Sequence, residues 1–240
     1  FETAPFSEIT IDHFKPAILE AIKLAETEIE VIVSNKAAPT FHNTVVALEF
    51  AGKKLDRITS ILYNLNSAET SPEIQALTQE VSPILTKFAN DIRLNADLFH
   101  KIKTVFENRE LLDLTSEDSM LLQKNYKAFA RNGANLPANK KKELRKIDTR
   151  LAQLKLKFGE NVLAESNAFK LHITDKKKLE GLPESTLQAA HAIAKEQNLD
   201  GWIFTLDYPS YIPFMKYAKN RALRKQMALA FGSKGFQQNS

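Results

Sequence analysis

The chain of 240 residues has no cysteine, only 7 glycines and 9 prolines, and 43% apolar against 26% charged side chains. This excludes disulfides, thiolate metal sites and a cysteine nucleophile, and it argues against an all-β fold with its many glycine- and proline-bearing turns. The net charge of +4 conceals an asymmetry: residues 1–120 carry 11 Lys and Arg against 19 Asp and Glu, and residues 121–240 carry 22 against 10.

The first helical pattern runs through "SEITIDHFKPAILEAIKLAETEIEVIVSN", with Thr10 or Asp12 as cap and Pro16 in the first turn. Phe14, Ile18, Ala21, Ile22, Ala25 and Ile29 recur there at helical spacing. "NTVVALEFAGKKLDRITSILYNLNSA" reads as one further helix, carried by Val45, Leu48, Leu55, Ile58, Leu62 and Leu65. Ser71, Pro72 and Glu73 open the next, and Pro83 is expected to kink or break it. Asn95 caps "ADLFHKIKTVFENRE". Thr115 and Asp118 form a capping box, and Gly133 closes that helix as its C′ residue. A long helix starts at Pro137, with Leu144, Ile147, Leu151, Leu154 and Phe158 as its apolar stripe.

Two stretches break the helical rhythm. "AFKLHIT" (Ala168–Thr174) alternates Phe169, Leu171 and Ile173 with Lys170 and His172, the period of a strand. "GWIFTLD" (Gly201–Asp207) reads as a second, and the two predict a small ribbon, parallel or antiparallel. Between them lies a helix with Pro183 at N1. "PSYIPFMKYAKNRALRKQMALAFG" predicts one closing helix ending before Gly232. The chain opens at Phe1 rather than Met and closes on the polar "SKGFQQNS", so both ends are expected to be cut. The pattern predicts a mainly α fold with a minor two-stranded β ribbon: helical hairpins over 1–166, then a strand–helix–strand–helix segment over 167–240.

Candidate chemistry is sparse. A helical zinc site needs two histidines at i and i+4, and none of His13, His42, His100, His172 or His191 has such a partner. His42 and Glu49 lie seven apart, roughly 10 Å along a helix axis, so Pro39, Thr40 and Asn43 are read as a helix entrance with His42 facing solvent. His191 reads as a hydrogen-bonded boundary histidine. No G-x-S-x-G elbow is present, and "FGSKGF" lacks both a preceding strand and a following Lys-Ser/Thr. Glu26, Glu28 and Glu30 read as a solvated helix face. The lysine clusters Lys140–Lys146 and Lys176–Lys178 either form solvated faces or attract an anionic partner; they lack the interleaved aromatics of a nucleic-acid platform, so no nucleic acid is expected. Trp202, Phe204, Tyr208, Tyr211 and Phe214 lie around Pro209 and Pro213. They are either core or the lining of a peptide groove.

Six blocks carry a resemblance. "FSEITIDHFKPAILEAI", "PTFHNTVVALEFAGKKLDRI", "LTSEDSMLLQKNYKAFARNGANL", "LAQLKLKFGENVLAES", "LEGLP" and "WIFTLDYPSYIPFMKYAKNRALRKQM" together resemble, in that order, the amino-terminal part of the thimet-oligopeptidase-like zinc metallopeptidases. The bacterial peptidyl-dipeptidase and oligopeptidase A branch is the nearest match. The resemblance covers essentially all of 1–240 and departs at His42, where family members often carry an acidic residue.

The resemblance implies a neurolysin-like, helical amino-terminal domain forming one wall of a channel that admits short peptides. It also implies one zinc held by an HExxH helix and a later glutamate, all beyond this chain. No catalytic or metal residue is therefore assigned here, and Tyr208 and Tyr211 are the candidates for lining the channel. The expected partners are short peptides and the missing carboxyl-terminal catalytic part, with no membrane: no apolar run reaches the ~18–20 residues of a span. No signal peptide is legible, and a chain without cysteine fits either compartment: the cytoplasm is expected, with the cell envelope as the alternative. A stand-alone helical module that binds peptides or proteins without catalysis is the competing reading.

Overall fold

Local signals set where the helices start in the computed structural model, which describes residues 3–236. Helix α1 (Ile11–Ser34) begins after Thr10, whose N–H donates to Nδ1 of His13 at 3.2 Å. Pro16 sits inside the helix, beyond the first turn where it was expected, so the Asp12 carbonyl loses its usual i+4 donor. At the next entrance Asn43 N–H donates to Oγ1 of Thr40 (3.1 Å) and Thr40 N–H donates to Oδ1 of Asn43 (2.7 Å). A π-helical stretch, Phe41–Val46, then runs into the short α2 (Ala47–Phe50).

The helix expected to continue from here breaks. Ala51 is extended and Gly52 takes φ +79°, a left-handed conformation that glycine adopts without a Cβ penalty. The Gly52 N–H donates to the Glu28 carboxylate of α1 at 2.7 Å, and α3 (Lys53–Ala68) starts afresh. Glu28 stays exposed, on the solvated face predicted for it, while its carboxylate accepts this N–H.

Helix α4 (Pro72–Arg93) opens as predicted, with Ile74 N–H donating to Ser71 Oγ at 3.2 Å. Pro83 does not break it. An interior proline costs about 3 kcal/mol, whereas each fully buried apolar side chain returns about 1.5–3 kcal/mol. Ile74, Leu77 and Val81 are buried, and Ile84, Leu85 and Phe88 are packed beside them, so burial outweighs the lost bond. Asn95 caps α5 (Ala96–Glu107) through Leu98 N–H at 2.9 Å. Thr115 and Asp118 form the predicted box at the start of α6 (Ser116–Arg131). Beyond its end Gly133 has φ +96°, and Ala134 N–H reaches back to the Phe129 carbonyl at 3.1 Å. Then comes α7 (Ala138–Ala168).

The chain divides into two compact units, residues 1–154 and 155–240. In the first, α1 serves two cores. Its amino-terminal half packs Phe14, Ile18 and Ile22 with Leu55 and Leu62 of α3 and Val81 of α4. Its carboxyl-terminal half packs Ile29 and Ile32 with Leu98, Phe99 and Ile102 of α5 and Phe129 of α6. The expected stripe of α7 is not core: Ile147, Leu151, Leu154 and Phe158 are 46–60% exposed, and no residue of this helix is buried.

In the second unit β1 (Leu171–Ile173) follows, with Leu171 and Ile173 buried and His172 outward, the predicted alternation. Helix α8 (Glu184–Glu196) starts one residue later than expected, with Pro183 as its N-cap. Strand β2 (Trp202–Phe204) pairs antiparallel with β1, Leu171 opposite Phe204 and Ile173 opposite Trp202. The single closing helix predicted from sequence is two: α9 (Tyr208–Tyr217) and α10 (Arg221–Gly232), which takes in Gly232. Lys219 N–H is drawn to the Glu180 carbonyl at 2.8 Å, Asn220 Oδ1 caps the N–H groups of Ala222 and Leu223, and the Arg224 guanidinium donates to the Ala218 and Lys219 carbonyls. The polar end from 237 onward lies outside the described residues.

Candidate functional site

The aromatic segment that sequence singled out divides between core and surface. Phe204 and Phe214 are fully buried and meet edge to face, centroids 4.7 Å apart. With Leu171, Ile173, Leu206 and Met227 they build the core of the second unit. The turn into α9 is held by Thr205, whose N–H donates to Ser210 Oγ at 3.0 Å and whose hydroxyl donates to Asp207 Oδ2 at 3.0 Å. That turn presents Tyr208 and Tyr211 at the start of α9. Tyr208 is 66% exposed; Tyr211 is half-buried and stacks on Phe231 of α10 at 4.2 Å and 18°. Phe231 also lies 5.9 Å from Tyr208, and Lys234 Nζ sits 3.8 Å over its ring. The result is an aromatic shelf with a cation above one ring. It presents π-faces and an ammonium, suited to an apolar side chain or a carboxylate of an extended ligand.

Phe231 and Lys234 were missed in the sequence. They stand beside the tyrosines only because the chain turns between α9 and α10, and the contacts that hold that turn come partly from Glu180, far away in sequence.

The remaining candidates disperse. His42 and Glu49 are both exposed, and the His42 ring lies edge-on to Phe41 at 6.1 Å. His191 Nδ1–H donates to the Gly201 carbonyl at 2.9 Å beside Trp202, and His172 Nε2–H donates to the Asp200 carbonyl at 2.6 Å. Among the described residues no three His, Asp or Glu side chains converge as a metal would require, so these residues offer no fit for a zinc ion. Gly235 of "FGSKGF" gives its N–H to the Glu165 carboxylate at 2.7 Å, which occupies the donor a phosphate would need. Lys140 pairs with Glu143 at 2.9 Å and Lys141 reaches the Leu94 carbonyl at 2.9 Å, while Lys176–Leu179 form a 3-10 turn capped by Asp175.

Shifted protonation equilibria report structural contacts. Glu73 is lowered by its hydrogen bond with Ser71, and Tyr63 is raised by burial. Lys87 is raised by its hydrogen bond to Asp91. These are a cap, a partly buried phenol and an ion pair, not a nucleophile with its base. Among the described residues no helix is long and apolar enough to cross a membrane.

No family model matches the chain. Individual proteins do. The chain is 33% identical to dipeptidyl carboxypeptidase of Escherichia coli over 226 residues, 94% of its own length and 33% of the relative's. It is 31% identical to oligopeptidase A of the same organism over 238 residues, 99% of this chain and 35% of that protein. To the probable cytosolic oligopeptidase A of Arabidopsis thaliana it is 32% identical over 241 residues, 98% and 34% of the two chains. The chain is thus homologous, along nearly its whole length, to the oligopeptidase A and dipeptidyl carboxypeptidase peptidases. It spans about a third of the length of these relatives.

Proposed function

We propose that this chain is the amino-terminal, non-catalytic part of a longer zinc-dependent oligopeptidase or peptidyl-dipeptidase, acting on short peptides in the cytoplasm. One observation carries the reading: 94–99% of this chain aligns with about a third of each relative, and those relatives are peptidases by name. The cytosolic Arabidopsis relative supports the compartment. A zinc held by residues outside this chain would supply the Lewis-acid chemistry for amide hydrolysis. This chain contributes surface rather than ligands: one wall of the substrate channel, where the shelf of Tyr208 and Tyr211 contacts the passing peptide.

The test compares this chain with a version extended to the full length of its relatives, both assayed on peptides of five to ten residues. The extended protein is expected to cleave them and this chain to be inert. Replacing Tyr208 by Ala in the extended protein should raise KM with little change in thermal stability, because the side chain is exposed. An inert extended protein that still binds peptides would favour the non-catalytic binding module instead.

A further inference from the structure

The first unit holds a cavity of about 360 Å³ where the carboxyl-terminal ends of α4 and α6 meet the loop into α7 and its first turns. That volume lies within the range of about 300–1,000 Å³ typical of small-molecule sites. Asn90 and Arg93 line it from α4, Arg131 from α6, Asn135 from the loop, and Leu144 and Asp148 from α7.

Three charged side chains here are uncommitted, unlike their neighbours. Arg145 is bound to Asp91, and Lys141 to a backbone carbonyl. Arg93 and Arg131, each in the last turn of its helix, make no ion pair or side-chain hydrogen bond among the described residues, and neither does Asp148. Asn90 is 4% exposed, and its Nδ2 has no hydrogen-bond partner.

Two guanidiniums call for an anion and form forked bonds to a carboxylate. Asp148, lining the same cavity from α7, repels a phosphate dianion but pairs with an ammonium. Leu136 and Leu144 add an apolar lining. We propose that this cavity binds a small zwitterion, an amino acid or a dipeptide. Its carboxylate lies between Arg93 and Arg131 and its ammonium at Asp148. The inference does not depend on the peptidase reading.

The test is a titration of the full 240-residue chain, nitrogen-15 labelled, with alanyl-alanine, followed by NMR. Saturable shifts are expected at the Gly133 and Asn135 amides and at the Asn90 side-chain NH₂. Acetylating the amino end, amidating the carboxyl end, or introducing Arg131→Gln or Asp148→Asn should each weaken binding about tenfold or more. Arg131 is exposed, so its variant is expected to fold, which its thermal melt checks. The proposal is overturned by the absence of saturable shifts up to about 10 mM dipeptide, by equal binding of the blocked peptides, or by inorganic phosphate binding as tightly as the dipeptide.

Discussion

Asp91 stands on α4 between two cations, Lys87 Nζ at 2.8 Å and Arg145 Nη1 at 2.5 Å. Partial burial raises its pKa, but the hydrogen bonds and charges of Lys87 and Arg145 outweigh burial and leave the carboxyl below its ordinary value. A carboxyl lowered on folding stabilises the native state fully above its unfolded pKa, about 3.9, and that contribution is lost as pH falls through the folded value. The side chain is 37% exposed, so solvent screening matters. The network is worth no more than about 1 kcal/mol. Asp91→Asn should therefore lower stability by up to about 1 kcal/mol at pH 7, measured as a shift of the urea midpoint. The gap between variant and parent should close as the pH falls below about 4. A gap that persists unchanged at pH 3 would show that Asp91 acts through packing instead.

At the scale of elements, the long helix α7 separates apolar pattern from burial. Its stripe recurs at helical spacing, yet Leu151 and Leu154 are each 46% exposed, whereas Leu98 on α5 is fully buried. The double change Leu151→Gln and Leu154→Gln should alter the unfolding free energy of this chain by about 0.5 kcal/mol or less. Leu98→Ala should cost about 2–5 kcal/mol. Parallel denaturant titrations compare them, and equal losses would contradict the burial described here.

What was legible in the sequence was what is decided within four residues: the caps at Ser71, Asn95 and Thr115, the Gly133 terminus and the alternation at Leu171 and Ile173. What was not legible is decided at a distance. The break at Gly52 depends on Glu28 and the one after Tyr217 on Glu180; α4 survives Pro83 because of its buried partners on α1 and α3. The candidate site followed the same division. Tyr208 and Tyr211 stood out by composition, whereas Phe231 and the cavity around Asn90 exist only once separate helices meet.

At the scale of the whole molecule, homology ties nearly the entire chain to peptidases about three times its length, and among the described residues no group of three or more His, Asp or Glu is placed to hold a metal ion. The proposed function has the metal chemistry supplied from outside these residues. The most direct test is the zinc retained per chain after dialysis against excess zinc, measured together with hydrolysis of a fluorogenic oligopeptide. The account predicts well under one zinc per chain and no cleavage. One tightly held zinc per chain, with cleavage that a chelator abolishes, would contradict it.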